Sequence, residues 1–170
     1  MKKPKKRFMS RFDGYKYGWF KSAKEFVIAL ALVFLAFNLL VGITTVSGRS
    51  MEPTLRDGEV VFFYRLNFSY HRGDVVFARM PYGNNYVKRV VAAAGDVVDL
   101  RDGVLYVNDQ PEAGTYFQGE TRESDGIVQY PYRVEEGKYF LVGDNREVSQ
   151  DSRAFGALPK RSIKGKLLFY

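Results

Sequence analysis

Hydrophobic residues follow two different patterns along the chain. Residues 26–46 form an uninterrupted run of 21 residues without a charged side chain. A helix of that length is ~31 Å long, which matches the hydrocarbon thickness of a bilayer. A cleaved export signal has a shorter apolar region, of about 7–15 residues, and a buried globular helix rarely runs so long without a charge. The run therefore predicts an uncleaved transmembrane anchor over residues 25–46.

Beyond the anchor the hydrophobic residues come in short runs, rich in β-branched and aromatic side chains and bounded by turn residues. The predicted strands are residues 59–64, 74–79, 86–91, 97–100, 104–107, 138–142 and 164–169. Asp102 and Gly103 separate two of these runs, as in a two-residue hairpin. Residues 112–131 are polar and predict a surface excursion. The pattern predicts a mainly β protein, with a compact antiparallel β-sheet domain over residues 47–170 on a single N-terminal transmembrane helix.

The formal net charge of +7 on these 170 residues is concentrated at one end. Residues 1–24 carry nine Lys and Arg side chains against one acid, Asp13, and the remainder has 17 bases and 18 acids. A nearly neutral remainder argues against a nucleic-acid partner. Basic residues beside a membrane span face the cytoplasm. We therefore predict a basic cytoplasmic leader over residues 1–24 and an extracytoplasmic domain, joined by one span through a lipid bilayer.

The amino-acid composition limits the available chemistry. The chain has no Cys, which excludes a disulfide framework, a thiol nucleophile and the usual zinc-finger spacings. Its single histidine, His71, excludes a metal site built from several histidines within one chain. We predict no metal. Hydroxyl, amine and carboxylate groups remain.

Four segments bring such groups together in order. They are SGRSMEPTL at 47–55, RGDVV at 72–76, YVKRV at 86–90 and GDNREVSQDSRAFG at 143–156. Together they closely resemble the sequence boxes of type I signal peptidases, the membrane-anchored serine–lysine proteases of the S26 kind. The resemblance covers nearly the whole chain from the anchor onward. It implies a serine peptidase domain over residues 47–170 that takes part in protein secretion and needs no cofactor.

The resemblance implies that Ser50 is the nucleophile and Lys88 the general base. A serine hydroxyl needs a base within hydrogen-bond reach. A lysine serves as that base only when burial holds it neutral, and Lys88 alternates with Val87 and Val90 in an apolar strand. His71 lies at a strand entrance and is the weaker candidate base.

The resemblance also implies supporting roles around the two catalytic groups. The Ser149 hydroxyl would orient the lysine amine. Asp151 and Arg153 would form an ion pair beside the site, and Asp144 and Arg89 a second pair.

One position departs from some relatives, which carry a serine two residues before the nucleophile. Gly48 stands there in this chain, so the Ser50 backbone N–H is the main expected donor to the oxyanion.

The implied substrates are precursors that carry a signal peptide, cleaved after a small-x-small sequence as they leave the secretion translocon at the plasma (inner) membrane. The expected substrate-binding residues are Val46, Met51, Leu55, Tyr86 and Val87. Two alternatives stay open. One is a relative with a narrower set of clients, such as a pilus-maturation or organellar inner-membrane peptidase. The other is a non-catalytic, membrane-anchored β-domain.

Overall fold

The computed structural model describes residues 11–66 and 69–170, so the first ten residues of the predicted leader lie outside the described residues. The chain divides into two compact units between Leu39 and Leu40. Helix α1, Arg11–Leu40, makes up the described part of the first unit. Its segment Lys21–Leu40 is long and apolar enough to cross a membrane, and none of it is buried in the protein.

The helix ends at Leu40, whereas the predicted anchor extends to residue 46. Val41–Thr45 instead form strand β1, which pairs antiparallel with β2, Val60–Tyr64. Four of the five residues in β1 are β-branched, which favours a strand. The end of the predicted helical anchor was therefore wrong, because an apolar run alone does not separate a membrane helix from a strand.

A seven-stranded antiparallel sheet forms most of the second unit, in the order β1-β2-β11-β3-β4-β9-β10. Its other strands are β3 (Val75–Arg79), β4 (Asn85–Ala93), β9 (Lys138–Val142), β10 (Leu158–Pro159) and β11 (Ile163–Leu167). Strand β4 lies between β3 and β9 and is buried over residues 87–92. The segment that carries Lys88 is therefore a central strand.

A four-stranded sheet completes the domain, in the order β7-β6-β5-β8. Its strands are β5 (Val97–Arg101), β6 (Val104–Val107), β7 (Gln110–Pro111) and β8 (Tyr132–Arg133). Asp102 and Gly103 connect β5 to β6 with φ angles of 49° and 78°, which confirms the predicted hairpin turn. A short helix, α2, spans Ser152–Phe155. The mainly β fold class is confirmed.

Residues 112–131 are mostly exposed, which confirms the predicted surface excursion, but hydrogen bonds attach the segment to the rest of the domain. The Gln118 N–H donates to the Asp144 carbonyl at 2.9 Å, and the Gln118 carbonyl accepts from the Arg146 N–H at 3.0 Å. Thr121 is 2% exposed, and its hydroxyl accepts from Arg146 Nη1 at 2.7 Å. The segment therefore lies at the surface, and its buried Thr121 has a hydrogen-bond partner, as buried polar groups require.

Candidate active site

Ser50 lies in the turn after β1, where contacts on several sides hold it. Met51, the next residue, is 1% exposed and anchors the turn in the apolar core. Gly48 has a φ of 85°, a conformation that favours glycine, and its N–H donates to Asp57 Oδ1 at 2.8 Å. The Asn145 N–H donates to the Ser50 carbonyl at 3.0 Å. Ser50 is only partly buried, so its hydroxyl is both fixed and accessible.

Lys88 reaches Ser50 from strand β4. Its Nζ lies 2.6 Å from Ser50 Oγ, within hydrogen-bond distance. Lys88 is 1% exposed, and the aromatic ring of Tyr86 lies 5.4 Å from the amine. Among the described residues no carboxylate forms a salt bridge with this amine. The nearest partner of the amine is therefore a neutral hydroxyl.

This environment changes the protonation of Lys88. Burial lowers the pKa of Lys88 to about 8 from the ordinary value of 10.5, because water no longer stabilises the charged form. The Asp151 carboxylate acts in the opposite direction, and the Arg153 guanidinium favours the neutral amine. A neutral amine beside a hydroxyl is the arrangement that general-base chemistry requires.

Ser149 lies in the same region, but its hydroxyl is not directed to the lysine amine. Ser149 Oγ donates to Asp151 Oδ2 at 2.6 Å, and in the described part of the chain it makes no hydrogen bond to Lys88. The expected direct contact is therefore not seen. An ionised carboxylate is a stronger acceptor than a neutral amine, which explains the preference for Asp151.

Asp151 and Arg153 form a buried bidentate ion pair. Arg153 Nε lies 2.9 Å from Asp151 Oδ1, and Nη2 lies 3.0 Å from Oδ2. Arg153 Nη2 also donates to the carbonyls of Arg146 and Ser149, and the Gly143 N–H donates to Asp151 Oδ2 at 3.0 Å. The pair therefore connects residues 151–153 to residues 143–149, the segment whose Asn145 N–H binds the Ser50 carbonyl.

Arg89 and Asp144 form a second bidentate pair behind the site, at 2.8 and 2.7 Å. Arg89 also donates to the Gly73 carbonyl at 2.7 Å, and the rings of Tyr116 and Tyr170 lie 4.0 and 5.5 Å from its guanidinium carbon. This pair joins strand β4, which carries Arg89 beside Lys88, to the segment after β9, which carries Asp144 beside Asn145. It acts on the geometry of the site and has no contact with Ser50 Oγ among the described residues.

A small pocket of about 100 Å³ opens beside Ser50. Four of the five expected substrate-binding residues line it, namely Val46, Met51, Tyr86 and Val87. Leu55 does not line it: Leu55 is 0% exposed and packs with Val46 and Met51 in the core. The predicted contact of Leu55 with substrate stays a prediction.

Five further residues line the small pocket without having been predicted as substrate-binding residues, namely Thr44, Thr45, Ser47, Phe77 and Asn85. Phe77 is the antiparallel partner of Val87. The sequence signal that could have identified Phe77 was the expected pairing of β3 with β4, because this pairing brings Phe77 beside Val87, a predicted pocket residue.

A larger cleft of about 870 Å³ also reaches Ser50, Tyr86 and Lys88. The residues that line it from the rest of the domain are Gln118, Gly119, Asn145, Glu147, Val148 and Gln150. None of them was predicted: Gln118 and Gly119 lie in the predicted surface excursion, and the other four are motif residues to which the sequence assigned no role. Among the described residues no cluster of His, Cys, Asp or Glu is suited to hold a metal ion.

Comparisons with known proteins identify the family of this chain. The model of the family "Signal peptidase, peptidase S26" matches residues 19–170. Signal peptidase I of Bacillus licheniformis is 36% identical over 165 residues, which cover 91% of this chain and 89% of that protein. Signal peptidase IB of Staphylococcus aureus (strain Mu50) is 35% identical over 170 residues, with coverages of 88% and 89%.

The solved structure of a signal peptidase I from Enterococcus faecalis V583 is 29% identical, with a TM-score of 0.49. The matched region covers 58% of this chain and 97% of the chain in the solved structure. The family match and the two sequence relatives carry the assignment. They show that the chain belongs to the peptidase S26 family of signal peptidases and is a serine endopeptidase.

Proposed function

We propose that this chain removes signal peptides by cleaving after small-x-small sequences, with Ser50 as nucleophile and Lys88 as general base. Its family supports signal-peptide removal. The observation that carries the residue assignment is the 2.6 Å separation of Ser50 Oγ and Lys88 Nζ, with the amine 1% exposed and unpaired with any described carboxylate. Such Ser–Lys pairs are a known variant of the catalytic triad.

In the acylation step Ser50 Oγ attacks the carbonyl carbon of the scissile peptide bond, and its proton passes to Lys88 Nζ. The backbone N–H of Ser50 donates to no described residue, so it is free to bind the oxyanion that forms. The tetrahedral intermediate then collapses as the C–N bond breaks. The leaving amine takes the proton from Lys88, and the signal peptide stays attached to Ser50 as an ester.

In the deacylation step water attacks the ester carbonyl and gives its proton to Lys88 Nζ. When the C–O bond to Ser50 breaks, the proton returns to Ser50 Oγ. The signal peptide leaves with a new carboxylate, and the enzyme is restored. The neutral amine is needed twice, once for each nucleophile, and so the lowered pKa of Lys88 matters in both steps.

The small pocket supports the proposed preference for small residues. Its volume of about 100 Å³ leaves room for a side chain such as that of alanine. Its walls come from the end of β1 and the start of β4, so an extended substrate would lie between these two segments. The expected pairing of the substrate main chain with residues 82–86 belongs to this proposal.

The membrane anchor supports the proposed location. The segment Lys21–Leu40 is apolar enough to span a bilayer, and the family is one of signal peptidases. We place residues 1–24 in the cytoplasm and the β domain on the extracytoplasmic side of the plasma membrane, near the secretion translocon. Enzyme and precursor then share one membrane surface, which raises their encounter rate.

The test is cleavage of a precursor with an Ala-x-Ala site by the full chain in detergent. The unaltered chain should give a single cleavage. Ser50→Ala and Lys88→Met should each lower kcat by about 10⁴-fold or more, because each removes a group needed for bond formation. The measurement is the initial rate of product formation, with folding checked by thermal unfolding.

Matched controls are Ser162→Ala and Lys164→Met, which change the same residue types away from both the pocket and the cleft. They should keep the rate of the unaltered chain. Cleavage that persists in both Ser50→Ala and Lys88→Met would contradict the dyad. A folded chain that cleaves no general precursor would instead favour a narrow-client peptidase or a non-catalytic domain.

A further inference from the structure

The larger cleft and the small pocket meet at the proposed nucleophile. Ser47, Ser50 and Tyr86 line both of them. From this junction the small pocket is bounded by residues 44–46, 51, 77, 85 and 87, whereas the cleft continues along residues 118–119, 145, 147–148 and 150. A peptide that crosses Ser50 out of the small pocket therefore enters the cleft.

Side-chain amides line this cleft and have no hydrogen-bond partner among the described residues. They belong to Gln118, Asn145 and Gln150. The backbone beneath them is fixed, because Gln118 and Asn145 form a parallel β-bridge and the Asn145 N–H donates to the Ser50 carbonyl at 3.0 Å. An amide offers both a donor and an acceptor, which is the pattern that a peptide main chain requires.

Glu147 adds a negative charge to the wall of the cleft. Its Cγ packs close to Gly119, where a Cβ would stand only 2.8 Å away, and its carboxylate forms no ion pair with a described residue. The other charged groups at the rim are engaged, since Arg49 pairs with Glu52 at 3.4 Å and Asp57 accepts from Gly48. Arg122 interacts electrostatically with Glu147, but its ion pair is with Glu120, so the Glu147 carboxylate stays available to a bound peptide.

We propose that this cleft binds the first residues that follow the scissile bond. The inference rests on the proposed function, which gives Ser50 the attack on that bond. Asn145 faces the main chain of the leaving segment and contributes to its binding. Glu147 faces its side chains and favours basic over acidic residues there, because opposite charges attract across the partly screened cleft.

The first test compares two peptides with the same sequence before the bond. One continues for four residues after it, and the other carries only a fluorogenic amine. Asn145→Ala should lower the ratio of kcat/KM for the long peptide to that for the short peptide by about three- to tenfold, the loss expected for one or two hydrogen bonds. A merely structural role for Asn145 would lower both values equally, and an unchanged ratio would overturn the inference.

The second test places either Lys or Glu at the second position after the bond of the long peptide. The unaltered chain should prefer the Lys peptide by about two- to fivefold at low salt, and Glu147→Lys should reverse that preference. The matched control is Glu136→Lys, an exposed acid outside the cleft, which should keep the original ratio. The same ratio in Glu147→Lys as in the unaltered chain would overturn the charge assignment.

Cleavage of the short peptide by the unaltered chain distinguishes a failure of the cleft inference from a failure of the proposed function. If it cleaves the short peptide but neither ratio responds to the substitutions, the cleft inference fails and the proposed function stands. If it cleaves neither peptide although it is folded, the proposed function fails, and the cleft inference fails with it.

Discussion

At the scale of single residues, Lys88 is buried and is paired with no carboxylate of residues 11–66 or 69–170. A lysine of this kind holds its proton weakly, because it has lost hydration without gaining an opposite charge in contact. The ion pairs Arg89–Asp144 and Arg153–Asp151 occupy the carboxylates nearest to the site. The arginines thereby leave the Ser50 hydroxyl as the hydrogen-bond partner of the Lys88 amine in the described part of the chain.

The first prediction concerns the pH dependence of kcat/KM. With a pKa of about 8 for Lys88, the neutral fraction is about a tenth at pH 7 and about nine tenths at pH 9. Activity should therefore rise about tenfold between these values and level off above them, since the neutral amine is the active form. Initial rates across pH 6–10, with thermal unfolding followed in parallel, measure this rise. A flat profile would contradict a neutral lysine as base.

The second prediction concerns Gly143, which lies between Ser149 and the backbone of Ser50. A Cβ at this position would lie 2.2 Å from Ser149 Oγ and 2.6 Å from the Ser50 carbonyl oxygen. Gly143→Ala should therefore displace Ser50 and lower kcat by about 10²-fold, because a shift of about 1 Å in a reacting group costs that much. The rate and the unfolding temperature of the variant test this together.

The control for this change is Gly137→Ala, at a glycine with a φ of 70° and open space around it. It should lower the unfolding temperature through backbone strain while the folded enzyme keeps its kcat. Full activity in Gly143→Ala would show that the backbone of Ser50 does not depend on this close approach.

At the scale of elements, residues 112–131 brace the segment that follows β9. Arg146 is the centre of this brace: its side chain is 1% exposed, pairs with Glu112 at 2.6 Å and lies 4.2 Å from the ring of Phe117. Its Nε donates to the Gly143 carbonyl at 3.1 Å. A change in this segment is therefore transmitted to the neighbourhood of Ser50.

The third prediction is that Arg146→Met destabilises the domain by about 3–5 kcal/mol, because it leaves the buried Glu112 carboxylate without its ion-pair partner. The double variant Arg146→Met, Glu112→Gln should recover part of this loss. Denaturant unfolding of the two variants in detergent measures the difference.

Arg122→Met is the matched control, since Arg122 pairs with Glu120 at the surface, where both side chains are more than half exposed. It should cost no more than about 1 kcal/mol. Equal losses in Arg122→Met and Arg146→Met would contradict the buried brace.

At the scale of the whole molecule, an apolar helix precedes the catalytic domain without a linker. Helix α1 ends at Leu40, and β1 begins at Val41. Strand β1 leads directly into the turn of Ser50, so few residues separate the predicted span from the proposed nucleophile.

The fourth prediction tests the proposed topology. The chain has no cysteine, so single cysteines can be introduced without background. In intact cells a membrane-impermeant maleimide should label Asp109→Cys in the exposed β6–β7 turn, and should label Lys3→Cys only after the membrane is opened. Labelling of Lys3→Cys in intact cells would reverse the proposed orientation.

The sequence by itself predicted the secondary structure that depends on residues close together in the chain. The uncharged run produced a helix, alternating short runs produced strands, and Asp102–Gly103 produced a hairpin, because local backbone preference governs each of them. Ser50 and Lys88 were identified as a pair from their motifs, and the structure has them 2.6 Å apart.

Only the tertiary structure decided the features that depend on distant contacts. β1 is a strand because β2, well separated in sequence, pairs with it. Leu55 lies beneath the small pocket, the Ser149 hydroxyl turns to Asp151, and Gln118 lines the cleft. In each case the outcome was set by which partner the folded chain brought within hydrogen-bond or packing distance, and local sequence preference carries no information about that partner.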